Sequence, residues 1–205
     1  MQPLNRKNRR ILIPDGRLDY FPQALARQQA DDLFASLRAE LDWARLPIMM
    51  FGREVMQPRL VAFHGERGLL YRYSGKTLEA SGWPDSFAGL RRQLEGMLDE
   101  RFNSVLCNLY RDGSEYMGWH ADNEPELGEE PVIASVSLGA RRRFLLRSRD
   151  GSERHEISPA HGSLLVMSGT LQERWQHQVP RTSRPVGERI NLTFRMVFPR
   201  DRRRR

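Results

Sequence analysis

His120 and Asp122 stand two positions apart in the segment His120-Ala121-Asp122, one imidazole and one carboxylate. Side chains of an extended segment alternate with period two, so both groups can point the same way. Two such ligands plus a second histidine make the facial set that holds ferrous iron and leaves positions open for a co-substrate and O2. Alone, the H-x-D pattern is weak, because most such pairs are chance surface neighbours. Three later histidines could complete it: His155, His161 and His177. His155 lies in the charged stretch Ser152-Glu153-Arg154-His155-Glu156 and reads as solvated surface. His161 precedes Gly162 at a turn, where an imidazole commonly bonds nearby backbone. His177 lies in the β-like run Trp175–Val179, upstream of Arg189 and Arg195, and that context favours it.

The arginines matter because of the co-substrate. 2-Oxoglutarate chelates iron through its keto oxygen and adjacent carboxylate, and its far carboxylate needs a fixed cation. Arginine suits this role: its planar fork binds carboxylate in a bidentate manner and stays charged when buried. The segment Arg189-Ile190-Asn191-Leu192-Thr193-Phe194-Arg195 places Arg189, Asn191, Thr193 and Arg195 on one face. Such a face is costly inside a core unless an anion fills it. The alternative is a strand whose polar face meets water while Ile190, Leu192 and Phe194 face the core.

The elements that must position these groups follow from periodicity. Apolar residues Ala26, Ala30, Leu33, Phe34, Leu37 and Leu41 recur near a 3.6 period and predict a helix over about 23–43. A second helix is expected over about 85–101, with Phe87, Leu90, Leu94, Met97 and Leu98 on one face. Residues 1–22 read as polar with a turn at Pro14-Asp15-Gly16, and 47–55 as an apolar run bent by Gly52. Strands are expected at 58–63 and 69–75. Short β-like runs then follow at 104–110, 132–138, 143–146, 153–157, 163–167, 175–179 and 189–198. Closely spaced strands divided by turn residues predict an antiparallel sandwich or barrel.

Length and charge bound the partners. The 205 residues suit one domain, and 39% hydrophobic residues can fill a core. The formal net charge of +7 draws the chain to polyanions, of which nucleic acid is the commonest. Lys7 and Lys76 are the only lysines, so the excess is arginine, a skew that codon composition could also produce. The single cysteine, Cys107, permits no internal disulfide and suits a reducing compartment. No apolar run approaches the ~18 residues a spanning helix needs, and Ile11-Leu12-Ile13 is too short for a signal sequence. The expectation is a soluble, cytoplasmic monomer, nucleoid-associated if bacterial, with no membrane partner.

Taken as a set, the motifs resemble the AlkB family of nucleic acid dealkylating dioxygenases. The pieces are Asn108-Leu109-Tyr110, then Gly118 to Pro125 around His120 and Asp122, then Ala134 to Gly139, then Gln176-His177, then Arg189 to Arg195. Their order and spacing match over roughly residues 45–198. The resemblance implies a mainly β fold with flanking helices: a double-stranded β-helix (jelly-roll) core with an N-terminal helical and hairpin extension. Within one dioxygenase domain, 1–103 would carry nucleotide-recognition hairpins and supporting helices, 104–198 the catalytic core, and 199–205 a basic tail.

The resemblance also implies roles. His120, Asp122 and His177 bind Fe(II). Asn108, Tyr110, Arg189, Asn191, Thr193 and Arg195 line the 2-oxoglutarate site, with Arg189 at the far carboxylate and Arg195 near the carboxylate beside the keto group. Met50-Phe51-Gly52-Arg53 resembles a hairpin that probes the duplex, where Phe51 would fill the stack left by a flipped base; packing in the core is the plain alternative. Tyr71 and Tyr73 resemble a substrate lid whose rings stack on the flipped base. Asn123 and Glu124 are placed to meet the base's polar edge, although the family often has Asp at the first of these positions. The implied reaction consumes 2-oxoglutarate and O2 and demethylates bases such as 1-methyladenine and 3-methylcytosine in single- or double-stranded DNA, or in RNA. It releases formaldehyde, succinate and CO2 and repairs alkylation damage. Two other readings stand beside it: the same iron chemistry on protein or on a natural RNA modification, and a basic β-domain that binds without catalysis.

Overall fold

A computed structural model describes residues 2–50, 52–73 and 75–198. In chain order its elements are β1 (Arg9–Ile11), β2 (Arg17–Phe21), α1 (Arg27–Glu40), β3 (Pro47–Met50), β4 (Arg53–Met56), β5 (Leu60–Gly65), β6 (Leu70–Tyr73), β7 (Lys76–Glu79) and α2 (Asp85–Leu98). They continue with β8 (Ser104–Tyr110), β9 (Met117–His120), β10 (Ile133–Gly139), β11 (Phe144–Ser148), β12 (Arg154–Ile157) and β13 (Ser163–Ser168). The single helical turn α3 (Leu171–Arg174), β14 (Trp175–Val179) and β15 (Arg189–Arg195) complete the fold.

Two antiparallel sheets face each other. The larger has seven strands in the order β1-β2-β13-β10-β15-β8-β5, and the smaller has four, β12-β11-β14-β9. Two hairpins, β3-β4 and β6-β7, pair with neither sheet. The arrangement is a jelly roll with helices against one side.

The period of two in the strands explains how the large sheet serves two interfaces. Every residue of β8 is buried. Val105, Cys107 and Leu109 join Leu33, Leu37, Phe87, Leu90 and Leu94 of α1 and α2 in one cluster. Leu106, Asn108 and Tyr110 point the other way, into the space between the sheets. The same alternation puts Ile190, Leu192 and Phe194 on the helix side. Each large aliphatic side chain taken from water there contributes about 1.5–3 kcal/mol. A second cluster joins Leu18, Ile133, Leu165 and Met167 of the large sheet to Phe144, Leu146, Trp175 and Val179 of the small one.

The helices are shorter than their periodicity predicts. α1 begins at Arg27 because Ala26 is extended (φ −60°, ψ 149°) and the Leu25 N–H donates to the Gly162 carbonyl at 2.9 Å. α2 ends at Leu98, where Asp99 turns left-handed at φ 56°. The polar reading of residues 1–22 misses β1 and β2. Asp15 does turn the chain (φ 50°), but β2 pairs with β13 and is part of the large sheet. Asp19 there is 3% exposed and bonded to Arg10 and Arg17, so its charge is compensated rather than solvated. β15 stops at Arg195, short of the expected Phe198. Beyond it the Asn103 side chain takes over, accepting from the Val197 N–H and donating to the Val197 carbonyl, both at 2.7 Å.

Candidate metal and co-substrate site

The small sheet delivers the two histidines. His120 ends β9 and His177 lies mid-β14, and the two are direct cross-strand partners with ring centroids 4.2 Å apart. Asp122 sits just past the end of β9, with Oδ2 3.8 Å from His177 Nε2. One ligand atom from each of His120, Asp122 and His177 lies within 4.8 Å of the other two. Among the described residues, this is the one group of three or more His, Cys, Asp or Glu side chains close enough to hold a metal. His120 Nδ1 is 2.8 Å from the Gly118 carbonyl. Donation there fixes the tautomer and leaves Nε2 free for a ligand role. Phe144 stacks on His177 at 5.1 Å and closes the inner side.

The other histidines stand elsewhere. His161 accepts the Gly139 N–H through Nδ1 at 2.7 Å, and its Nε2 lies 3.0 Å from Asp31. His155, expected at the surface, is half-buried with its ring 5.4 Å from that of Trp175.

The large sheet supplies the opposite wall. Arg189 is 2% exposed; its Nη2 donates to Ser137 Oγ at 3.0 Å, while Nε and Nη1 have no partner. Asn191 donates to Ser135 Oγ at 2.8 Å and to the Val136 carbonyl at 3.0 Å. Thr193 donates weakly to Asn191 Oδ1 at 3.4 Å. Arg195 donates from Nη2 to Asp122 Oδ1 at 2.6 Å, and its Nε and Nη1 also lack partners. Asn108, Tyr110, His120, Asp122, His177, Asn191, Thr193 and Arg195 all line one cavity of about 30 Å3. That is room for an ion or a water molecule. Arg189 lies outside this lining, with its guanidinium 5.3 Å from the ring of Tyr110, which does line it. A separate groove of about 1500 Å3, lined by Tyr20, Phe34, His161 and Glu188 among others, touches none of these groups.

The mouth differs from expectation in one respect. Tyr71 (0% exposed) and Tyr73 (4%) are buried rather than open stacking faces. They pack with Val61, Leu106, Leu127 and Val197. The Tyr73 hydroxyl accepts from Arg59 Nη2 at 2.7 Å, and Arg59 Nε donates to Asn108 Oδ1 at 2.6 Å. Arg59, 2% exposed and lining the cavity, is a residue that sequence reasoning missed. An arginine at the head of a strand ordinarily faces water, so nothing in the local pattern marks it. Ser135 and Ser137 did leave a signal, since they alternate with Ala134, Val136 and Leu138 on the strand beside β15. Asn123 is exposed and Glu124 half-buried, neither lining the cavity. Gly52 turns the β3-β4 hairpin at φ 74°, with Arg53 exposed beside it. Phe51 lies outside the described residues.

The family model of the 2OG-Fe(II) oxygenase superfamily matches residues 17–195. The chain is 37% identical over 200 residues to human Alpha-ketoglutarate-dependent dioxygenase alkB homolog 3, covering 92% of this chain and 69% of that one. The bovine counterpart is 40% identical over 182 residues, covering 84% of this chain and 63% of its own length. Human DNA oxidative demethylase ALKBH2 is 35% identical over 183 residues, covering 84% and 70%. The chain belongs to the AlkB family of 2OG-Fe(II) oxygenases. It spans about two thirds of the length of these relatives. The solved structure of OsALKBH1 shares the fold, with a TM-score of 0.66 at 16% identity over 93% of this chain and all of that one.

An AlkB-family oxygenase uses Fe(II) and 2-oxoglutarate, and the electrostatics of this site suit both. Burial, then the neighbouring His120, pushes His177 down to about 3. Burial likewise lowers His120. Both imidazoles are therefore neutral at pH 7 and can donate a lone pair. Burial alone would raise the Asp122 carboxyl, but Arg195, His177 and His120 together hold it at about 2. The donor set is thus one anion and two neutral imidazoles, ready for a divalent ion without losing a proton. Arg189 and Arg195 each keep two buried nitrogens without acceptors, which is costly unless a carboxylate meets them.

Proposed function

We propose that this protein oxidatively demethylates N-alkylated nucleic acid bases, such as 1-methyladenine and 3-methylcytosine, in DNA. The observation that carries the reading is a facial His-Asp-His set and an arginine-bearing strand meeting at one buried cavity, in a chain whose relatives are named as oxidative demethylases.

Within this reading His120, Asp122 and His177 hold Fe(II), and Arg189 takes the far carboxylate of 2-oxoglutarate. Bound together, iron and 2-oxoglutarate would activate O2, one oxygen atom passing into succinate as CO2 leaves and the other onto the N-alkyl carbon, which would depart as formaldehyde and leave the base restored. The chain's own part is orientation and exclusion. Arg195 fixes the second oxygen of Asp122, so only one oxygen is free to face the metal. Asn108, held by Arg59, Asn191 and Thr193 line the chamber with groups that can bond the co-substrate. Tyr110 lines the cavity and also faces Arg189, its ring 5.3 Å from the guanidinium, so it stands between the chamber and that arginine with a hydroxyl that can bond the same carboxylate. Burial, then Asp122, raises the Glu124 carboxyl above its ordinary range. A cationic lesion brought beside it favours the charged form, and the pair then attract strongly where water is sparse.

The test is formaldehyde release from a 3-methylcytosine oligonucleotide with Fe(II) and 2-oxoglutarate. Wild type releases it and His177→Ala does not. No release from wild type, with slow turnover of 2-oxoglutarate to succinate, would retain the oxygenase and reject the base as its substrate.

A further inference from the structure

Asp122 lies where the strand ladder has run out. His120, the last residue of β9, pairs with His177, and Asp122 stands two residues past the end of that strand. A buried backbone N–H outside a ladder must find another acceptor. For Asp122 that acceptor is the side chain of Gln172, fifty residues away, whose Oε1 lies 2.9 Å from the Asp122 nitrogen. Gln172 is 1% exposed, and its Nε2 reaches Met167 Sδ at 3.6 Å.

Gln172 is itself held firmly. It sits in α3, one helical turn that leads directly into β14 and His177. The N–H groups of Glu173 and Arg174 both donate to the Thr170 carbonyl, at 3.0 and 2.9 Å. Leu171 is fully buried, and the backbone of Gly16 packs so closely that a Cβ there would lie 3.1 Å from Leu171 Cα. The Arg149 N–H closes the turn by donating to the Arg174 carbonyl at 2.9 Å. The turn therefore cannot shift without moving β14.

We propose that Gln172 is a positioning residue of the metal centre, tying the backbone of one ligand, Asp122, to the element that carries another, His177. Arg195 fixes the Asp122 carboxylate and Gln172 fixes its main chain, so the two together set how deeply that carboxylate stands between the imidazoles. Gln172 touches neither metal nor substrate and acts through Asp122 alone. The inference rests on His120, Asp122 and His177 being the metal ligands. Outer partners of metal ligands typically govern affinity by 10–100-fold.

Co(II) titration of the full chain, followed by visible absorption, tests this without turnover. Gln172→Met keeps the volume and loses the oxygen acceptor, and its Co(II) affinity is expected to fall about 10–100-fold. Gln172→Glu restores an oxygen of equal reach and is expected to match or exceed wild type. Leu37→Ala opens the helix-side core, which contains neither α3 nor Asp122, so it should lower the unfolding midpoint while Co(II) affinity stays within about threefold. Wild-type affinity in Gln172→Met overturns the proposal. So does an equal loss in Leu37→Ala, which would mean that affinity follows overall stability rather than the Gln172 contact. Failure of wild type to bind Co(II), or binding unchanged in His177→Ala, would instead remove the metal-site reading beneath it.

Discussion

Arg189 is a buried cation with two nitrogens that nothing accepts from. Burial lowers its pKa, and the groups that meet it, the hydroxyls of Ser137 and Tyr110, are neutral. Such a group weakens the empty protein, and an anion that met it would offset the cost. Replacing a poorly partnered buried cation with an apolar side chain of similar size removes a desolvation cost of about 1–3 kcal/mol. Arg189→Met should therefore raise the unfolding free energy of the metal- and co-substrate-free chain by about that much. The variant should also lose the rise in Tm that 2-oxoglutarate gives wild type with Co(II) present. Thermal unfolding with and without 2-oxoglutarate checks both halves. A variant less stable than wild type that still responds to the diacid would mean that another residue binds the far carboxylate. These residues were legible in sequence because the chemistry demands particular types: two imidazoles, a carboxylate and an arginine on an alternating strand. Arg59 and Gln172 were not, because their roles depend on which strands and turns meet in space. A glutamine in a single helical turn carries no period, and an arginine before an apolar run is ordinarily solvated.

At the scale of elements, the join between β10 and β15 decides whether Arg189 arrives in place. Gly139 pairs with Arg189 across the sheet and adopts φ +83°, a conformation that other residues resist. A Cβ there would fall 2.3 Å from the Glu188 carbonyl oxygen and 2.8 Å from the Phe34 ring. That carbonyl already accepts the Ala140 N–H at 2.8 Å, so it has little freedom to retreat. Gly139→Ala is expected to cost at least about 1–3 kcal/mol in urea unfolding and to raise the KM for 2-oxoglutarate by displacing the start of β15. Gly96→Ala is the contrast: no atom lies within 4 Å of its would-be Cβ, and a helical glycine replaced by alanine gains up to about 1 kcal/mol. Equal effects from the two would reject the steric account. The larger elements follow from their period. α1 and α2 bury the faces their apolar spacing marks, and the strands after Ser104 fall near the expected runs. β1 and β2 escape because Arg9-Arg10-Ile11 is too short to alternate and Arg17-Leu18-Asp19-Tyr20-Phe21 places a charged Asp19 where the pattern gives no sign of burial. β9 escapes because Met117-Gly118-Trp119-His120 is defined by its partner β14 rather than by its own composition.

At the scale of the whole molecule, the net charge of +7 and the placement of the two free hairpins belong to one argument. Helices cover one face of the large sheet and the small sheet covers the other, so β3-β4 and β6-β7 are the elements outside both layers. They are joined by the ion pair between Lys76 and Glu54 at 3.2 Å, and they carry Arg53 and Arg72, both exposed. Tyr73, at the end of β6, lines the cavity itself and accepts from Arg59, which links the hairpins to the chemistry. Cations so placed attract phosphate regardless of sequence, and each phosphate neutralised on a single strand steepens the dependence of log K on log salt by about 0.7. The double substitution Arg53→Ala and Arg72→Ala should therefore flatten that slope by about 1.4 if each arginine meets one phosphate. It should weaken binding of methylated and unmethylated oligonucleotides equally, because phosphate contacts carry no base information. The KM for 2-oxoglutarate should not change, since neither arginine lines the cavity. Fluorescence anisotropy across a salt series measures the slope directly. An unchanged slope would place the phosphate track on another face, whereas a loss confined to the methylated strand would mean that these arginines read the base rather than the backbone.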